Sequence, residues 1–476
     1  MDAISFVAGL VGVPAPVANA AAAAAPLAAA PVRMAGDVLT VGAQVARDPR
    51  AAWDQVVATA KARAKAAAGA FLGISWAPFE VRNEKPSPAK AVGAAPEEAK
   101  AATEALAAHA AAERAALAKL APGDRARYEA VQAIIVDHPV AARALQQLLF
   151  DGKLAPGLLA GFENLTKAPL APGLDRAKLL AQVIGEVQDP VRIFQGQRNT
   201  CGATTSQLML AGKDPQEYVR LVTGLASPAG KVAMAGGGVL ERKADWQAED
   251  GDRSLPSKLL QPAFMEYAEV AMAYNNSTDH SEVGGVKLLE GLTGLGAAAL
   301  QGQLFGKPYV DIMPTAANRH AVATQLLDLL KAGKGPISAS FYGQVENGHF
   351  LRLDRVEGDR VYVTNPWGVA QSMSLADFEA HLLTVQVPKG DIAPGTATAA
   401  LYEAVSDRAN VVARYKRTAG AAWDATLAEG RRRLDQAKTA VQAAVPVVQA
   451  AAPVVVAAAF PGAAALGWAW GKLRGK

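Results

Sequence analysis

Apolar and polar positions along this chain follow two rhythms. From Gly36 to Ala77 the pattern is amphipathic at helical spacing, rich in alanine and carrying Lys61, Arg63 and Lys65 on its polar side. Pro78, Pro86 and Pro88 then mark a linker, which closes a first helical unit at residues 36–95. The block that starts "PEEAKAATEALAAHAAAERAALAKL" resumes the helical period, with Glu, Lys and Arg spaced for i,i+4 pairs on exposed faces. "LAPGDRARY" and "DHPVAARALQQLL" read as helix, break, helix, so residues 96–188 form a helical region.

After Asp189 the rhythm changes, because glycine, aromatic and β-branched residues rise and strand patterns appear. The stretch "GPISASFYGQVENGHFLRLDRVEGDRVYVTNPWG" alternates in the way of paired strands, with Gly358-Asp359 as a two-residue hairpin turn. That turn sets His349 and Asn365 on adjacent antiparallel strands at the same end of a sheet. An offset of about three residues, roughly 10 Å, is left for a bulge and side-chain reach to close.

Both ends are apolar. Residues 1–35 carry no charge between Asp2 and Arg33, yet Asp2 stands where a signal peptide needs a positive charge and Pro14, Pro16 and Pro26 interrupt the run. The tail, residues 391–476, contains an amphipathic helix around "AAWDATLAEGRRRLDQAKTAVQ", then 33 uncharged residues from Thr439 to Gly471. That length would cross a bilayer, but Pro446, Pro453 and Pro461 argue for a hairpin that docks on a membrane surface or a partner protein. The segment 439–476 is therefore expected to bind one or the other, and the compartment stays open.

Composition trims the remaining options. With 51% hydrophobic residues over 476 positions, the chain can bury a core of several domains. The single cysteine excludes a disulfide within the chain and zinc sites built on cysteine pairs. A net charge of +4, without a basic stripe interleaved with aromatics, speaks against nucleic acid. The clusters "ERKADWQAEDGDR" and "RRR" read as solvated faces. "MAGGGVLER" and "EVGGVKLL" lack the glycine spacing and Lys-Ser/Thr ending of a phosphate loop.

The lone cysteine, Cys201, sits in "FQGQRNTCGATTSQLML", at the expected start of a helix that Thr200 or Asn199 would cap. A thiol needs a base to become a thiolate near neutral pH, and the base needs a group to hold its tautomer. Cys201, His349 and Asn365 suit those three roles. Gln195, six residues upstream, would set its amide beside the Cys201 backbone N–H and supply a second donor to a developing oxyanion. The competing reading of a lone cysteine is a small buried hydrophobe. His109, His138, His280, His320 and His381 have no comparable context.

Four segments in this order resemble the papain-like cysteine peptidases, and among them the calpain-type branch: "QGQRNTC", "NGHFLRL", "VTNPWG" and "MSLADFEAHL". "LPSKLLQPAFMEYAEV" and "GGVKLLEGLTG" are similar to the calpain stretch that precedes the histidine subdomain. The resemblance covers residues 189–390. It implies an α+β fold with a helical subdomain carrying Cys201, an antiparallel β subdomain carrying His349 and Asn365, and alanine-rich helical flanks. It further implies that Trp367 covers the Asn365–His349 hydrogen bond, and that 96–188 stands in the position of an inhibitory pro-region.

The activity implied is endopeptidase action on a polypeptide substrate through an acyl-enzyme, with no cofactor and no metal. One position departs: Gly202 follows the cysteine where the family carries tryptophan. The resemblance does not extend to the calpain calcium loops, so it does not imply calcium dependence. Two other functions fit the same residues: a non-catalytic binding or scaffold protein on this fold, and an acyl transferase or deamidase using the same Cys-His pair.

Overall fold

The structure, a computed structural model of the chain, describes residues 69–70, 72–84, 95–248, 253–268, 273–283, 286–289, 291–343 and 348–393. The apolar segment 1–35, the part of the expected 36–77 helix before residue 69, and the tail beyond residue 393 with its docking segment 439–476 lie outside these residues; residues 69, 70 and 72 are helical, and Gly73 to Ala77 are not. Among the described residues the fold is α+β, with eleven helices and antiparallel sheets.

The chain enters through β1 (Arg82–Asn83) and then forms α1 (Pro96–Leu117), α2 (Pro122–Ile134), α3 (Pro139–Phe150), α4 (Pro156–Lys167) and α5 (Arg176–Gln188). Each of the first four helices opens on proline, whose fixed φ and missing N–H suit a first helical residue. Asp175 caps α5 by accepting the Lys178 N–H at 2.7 Å. Next come α6 (Cys201–Lys213) and α7 (Pro215–Ala226), a hairpin of β2 (Lys231–Ala233) and β3 (Val239–Glu241), and α8 (Leu255–Ala268). A small sheet of β4 (Ala273–Asn275), β5 (His280–Val283) and β6 (Val286–Leu289) leads to α9 (Gly294–Leu304).

These helices share one apolar core. Tyr128, Leu145 and Phe162 from α2, α3 and α4 belong to the same buried cluster as Leu208 of α6, Phe264 of α8 and Leu300 of α9. The boundary expected at 188/189 is therefore no break in packing. The change of composition there marks where glycine-rich loops begin, while the apolar faces of α2 to α5 continue into the core around α6. Helix α6 is buried on every side from Gly202 to Ala211, as the central helix of such a cluster must be.

The second half is a seven-stranded antiparallel sheet. It consists of β7 (Tyr309–Ile312), β8 (Ile337–Phe341), β9 (His349–Glu357), β10 (Arg360–Asn365), β11 (Val369–Ser374) and β12 (Leu382–Pro388), together with β1. The spatial order is β1-β11-β10-β9-β8-β12-β7. Helices α10 (Arg319–Lys331) and α11 (Leu375–His381) belong to this half, and α11 falls on the "MSLADFEAHL" segment. Its own cluster joins Phe341, Leu351, Leu353, Val361, Val363 and Phe378.

The linker expected before residue 95 needs a correction. Phe79 is buried against Phe341 and His381, and Arg82 and Asn83 pair with Ser372 and Gln371 at the sheet edge. Residues 72–84 are thus part of the sheet half. Two residues of strand carry no readable alternation, so only the waiting edge of β11 assigns them.

Candidate active site

Cys201 is the first residue of α6, as the sequence suggested, but the expected cap is not made. The Thr200 hydroxyl turns inward to Gln261 Oε1 at 3.1 Å, and the Asn199 backbone N–H donates to Asp279 Oδ2 at 2.8 Å. The half-buried sulfur instead faces backbone N–H groups of Phe350, Gly202 and Cys201 itself. Burial pushes the thiol above its ordinary value and the Asp279 carboxylate adds to this, while those N–H groups pull it down.

Gly202 has a local reason. A Cβ there would lie 3.0 Å from Leu292 Cβ and 3.3 Å from Phe350 Cδ2. The space beside Gly202 is thus filled by Leu292 and Phe350.

His349 opens β9 and Asn365 closes β10, and a bulge decides whether they meet. The hairpin turn at Gly358 and Asp359 is as expected, with Arg360 opposite Glu357 and Tyr362 opposite Arg355. Beyond it Val363 opposes Leu353 and Thr364 opposes Arg352, because Asp354 is the extra residue. Asn365 then falls opposite Leu351, two residues from His349 rather than three. An offset of two keeps both side chains on one face of the sheet, whereas three would have set them on opposite faces.

The result is a bond of 2.8 Å between His349 Nε2 and Asn365 Oδ1. The Trp367 backbone N–H donates to the same oxygen at 3.0 Å, which fixes that atom as the acceptor and places the imidazole proton on Nε2. Nδ1 is left with its lone pair. Burial pushes His349 down to about 4, against the opposing pull of Asn365, so the ring is neutral at neutral pH. Trp367 stacks on it, with ring centroids 4.5 Å apart and planes at 29°. At 42% exposure, Trp367 is the cover between this pair and solvent.

Gln195 is brought to the site on its main chain, where its N–H donates to the Pro366 carbonyl at 2.8 Å. Its side chain differs from the expectation. Nε2 donates to the Arg198 carbonyl at 2.5 Å, and the buried Oε1 has no partner among the described residues. Its neighbour Phe194 touches Gly368, where a Cβ would come within 3.3 Å of Phe194 Cβ. That close approach ties the loop before Cys201 to the turn after Asn365.

Sequence reasoning missed Asp279 and Gln371. Asp279 sits at φ 57°, accepts the Tyr274 hydroxyl at 2.9 Å, and is the carboxylate that the thiol senses. Gln371 Oε1 accepts Asn365 Nδ2 at 2.9 Å. A turn signature around "NNSTDH" was readable for the first; nothing local marks the second.

No hydrogen bond joins the Cys201 sulfur to His349 among the described residues. Chemically the set offers a thiol on a helix N-terminus, a neutral imidazole with Nδ1 open, and an amide and indole that hold and cover it. Among the described residues no group of His, Cys, Asp and Glu is placed to hold a metal, and no helix is long and apolar enough to cross a membrane. Searched against models of known families, the chain matches none, and no curated protein matches it either.

Proposed function

We propose that this chain is a cysteine endopeptidase with a papain-like, calpain-type core that hydrolyses a polypeptide through Cys201, His349 and Asn365. The observation that carries this reading is the buried His349–Asn365 bond of 2.8 Å under Trp367, in the half of the fold that also delivers the Phe350 N–H to the Cys201 sulfur. A structural histidine does not need an indole lid and an amide that dictates its tautomer.

The resting pair is a thiol and a neutral imidazole, since burial raises one group and lowers the other. His349 Nδ1 takes the thiol proton as Sγ bonds to the substrate carbonyl carbon. The imidazolium returns that proton to the leaving amine as the C–N bond breaks. A water, deprotonated by the same nitrogen, then splits the thioester and regenerates the thiol. Backbone N–H groups around Cys201 support the oxyanion, with Gln195 taking part once its amide leaves the Arg198 carbonyl.

The missing sulfur–imidazole bond favours a second reading, a non-catalytic binding protein on this fold. Incubating the full chain and its Cys201→Ala form with a proteome extract, and mapping new termini by mass spectrometry, separates the two. Termini that require Cys201, with labelling of Cys201 by a thiol-directed epoxide, are expected. Termini that appear equally with Cys201→Ala, or none with either protein, would overturn the peptidase reading.

A further inference from the structure

The amide of Asn365 is itself held by a chain of amides that ends outside the expected catalytic segment. Asn365 Nδ2 donates to Gln371 Oε1 at 2.9 Å, and Gln371 Nε2 donates to Asn83 Oδ1 at 3.0 Å. Each carboxamide has one accepting and one donating end, so an orientation set at one end is passed to the next. Reversing Gln371 would face its NH2 with that of Asn365 and its oxygen with that of Asn83. Asn365 and Gln371 are buried, so water does not substitute for a lost partner.

Asn83 reaches this chain from β1, directly opposite Gln371 in the register. Its strand is secured on both sides: the Glu84 N–H donates to the Ala370 carbonyl at 2.9 Å, the Ser372 hydroxyl donates to the Glu84 carboxylate, and Phe79 is buried in the sheet core. An exposed asparagine on a short edge strand is thereby held at a fixed distance from a buried glutamine.

We propose that Gln371 and Asn83 are positioning residues, which keep the Asn365 oxygen toward His349 and so keep the imidazole proton on Nε2 and the Nδ1 lone pair free. The effect on hydrolysis rests on the peptidase reading; the effect on the imidazole does not. Without Gln371 the Asn365 amide is held on its oxygen side alone, by the Trp367 N–H and the His349 Nε2–H. It then samples the reversed orientation, in which Nε2–H faces an NH2 group.

The test uses the full chain with 15N-labelled histidine, read by NMR, beside peptide hydrolysis. Gln371→Met keeps the length of the side chain and removes both polar ends. It is expected to exchange the His349 Nε2–H with water about tenfold faster and to lower kcat about tenfold with KM within about twofold, with a melting temperature a few degrees lower because Asn365 Nδ2 is left unpaired in the core. Gln371→Glu, which keeps an acceptor for Asn365 Nδ2, should restore both quantities. Asn83→Ala acts at the exposed end without opening the core and should speed the same exchange about threefold, while Asn83→Asp should not. An Nε2–H signal unchanged in folded Gln371→Met and in Asn83→Ala would overturn the proposal, as would a loss that Gln371→Glu fails to restore. If the unaltered chain hydrolyses nothing, the peptidase reading falls while the exchange measurement still decides this one.

Discussion

The two halves of the molecule hold their reactive groups by opposite means. In the helical half, Cys201 is placed by main chain, at the first residue of a helix buried on all sides, and its sulfur meets backbone N–H groups. In the sheet half, His349 is placed by side chains: Asn365 beneath, Trp367 above and Gln371 behind. Position by main chain survives most substitutions that leave the helix folded. Position by a relay of amides fails one link at a time.

Two buried groups, one in each half, are shifted in opposite directions by burial. The helical half encloses Glu186, which accepts from the Tyr218 and Ser254 hydroxyls and is pushed by burial up to about 7. From Tyr218 the network continues through Gln207 and Gln261 to Thr200, the residue before the thiol. The sheet half encloses His349, pushed down to about 4. Burial thus raises Glu186 in one half and lowers His349 in the other, although the sheet half also buries an acid, Asp311, pushed up to about 6.

The largest effect expected from this contrast is on the cores themselves. Phe162→Ala in the helical cluster and Phe341→Ala in the sheet cluster should each cost about 3–5 kcal/mol, since both side chains are fully buried. Hydrogen exchange should rise mainly in the half that carries the substitution. Equal loss of protection in both halves would show one cooperative unit and end the comparison.

Next in size is the pH dependence of stability, measured by denaturant unfolding. The Glu186 contribution is complete below its unfolded value of 4.5 and is lost as pH rises through about 7, an effect on the order of 3 kcal/mol. Unaltered protein should therefore lose stability relative to Glu186→Gln between pH 4.5 and 7. The His349 contribution is complete above its unfolded value of 6.5 and is lost as pH falls through about 4. Relative to His349→Gln, the unaltered protein should lose stability in the acid direction. Two differences that move the same way with pH would contradict the assignment of one buried acid and one buried base.

Catalysis should share the acid limb. Hydrolysis is expected to fall as pH drops through about 4, where Nδ1 becomes protonated, rather than through a depressed thiol value. Trp367→Ala, at an exposed position, should lower kcat about tenfold without changing the melting temperature, because water then competes for the Asn365–His349 bond. A Trp367→Ala chain with full turnover would leave the indole a surface aromatic.

The smallest effect is Asp279→Asn. Removing that negative charge should lower the thiol value and raise the rate of Cys201 alkylation at pH 8 by about two- to threefold. A rate that stays constant would mean that Asp279 serves only the Asn199 and Tyr274 contacts.

Much of this was legible in the residues. Proline at helix starts, the hairpin turn at Gly358, the start of a helix at Cys201 and the order Gln195, Cys201, His349, Asn365, Trp367 all rest on local chemistry, which acts within a few positions of the chain. Tertiary structure decided the rest. The bulge at Asp354 moved Asn365 onto the face of His349, and parity in a sheet depends on a partner strand. Residues on both sides of 188/189 join one apolar cluster because apolar faces pack wherever a complementary face waits, whatever the composition on either side. Strand β1, the approach of Asp279 to Asn199 and the approach of Asn83 to Gln371 each required groups far apart in sequence to meet in space. Sequence could point to Cys201, His349 and Asn365 because the chemistry of a side chain is intrinsic; their protonation and orientation depend on burial and hydrogen bonds that exist only once the chain has folded.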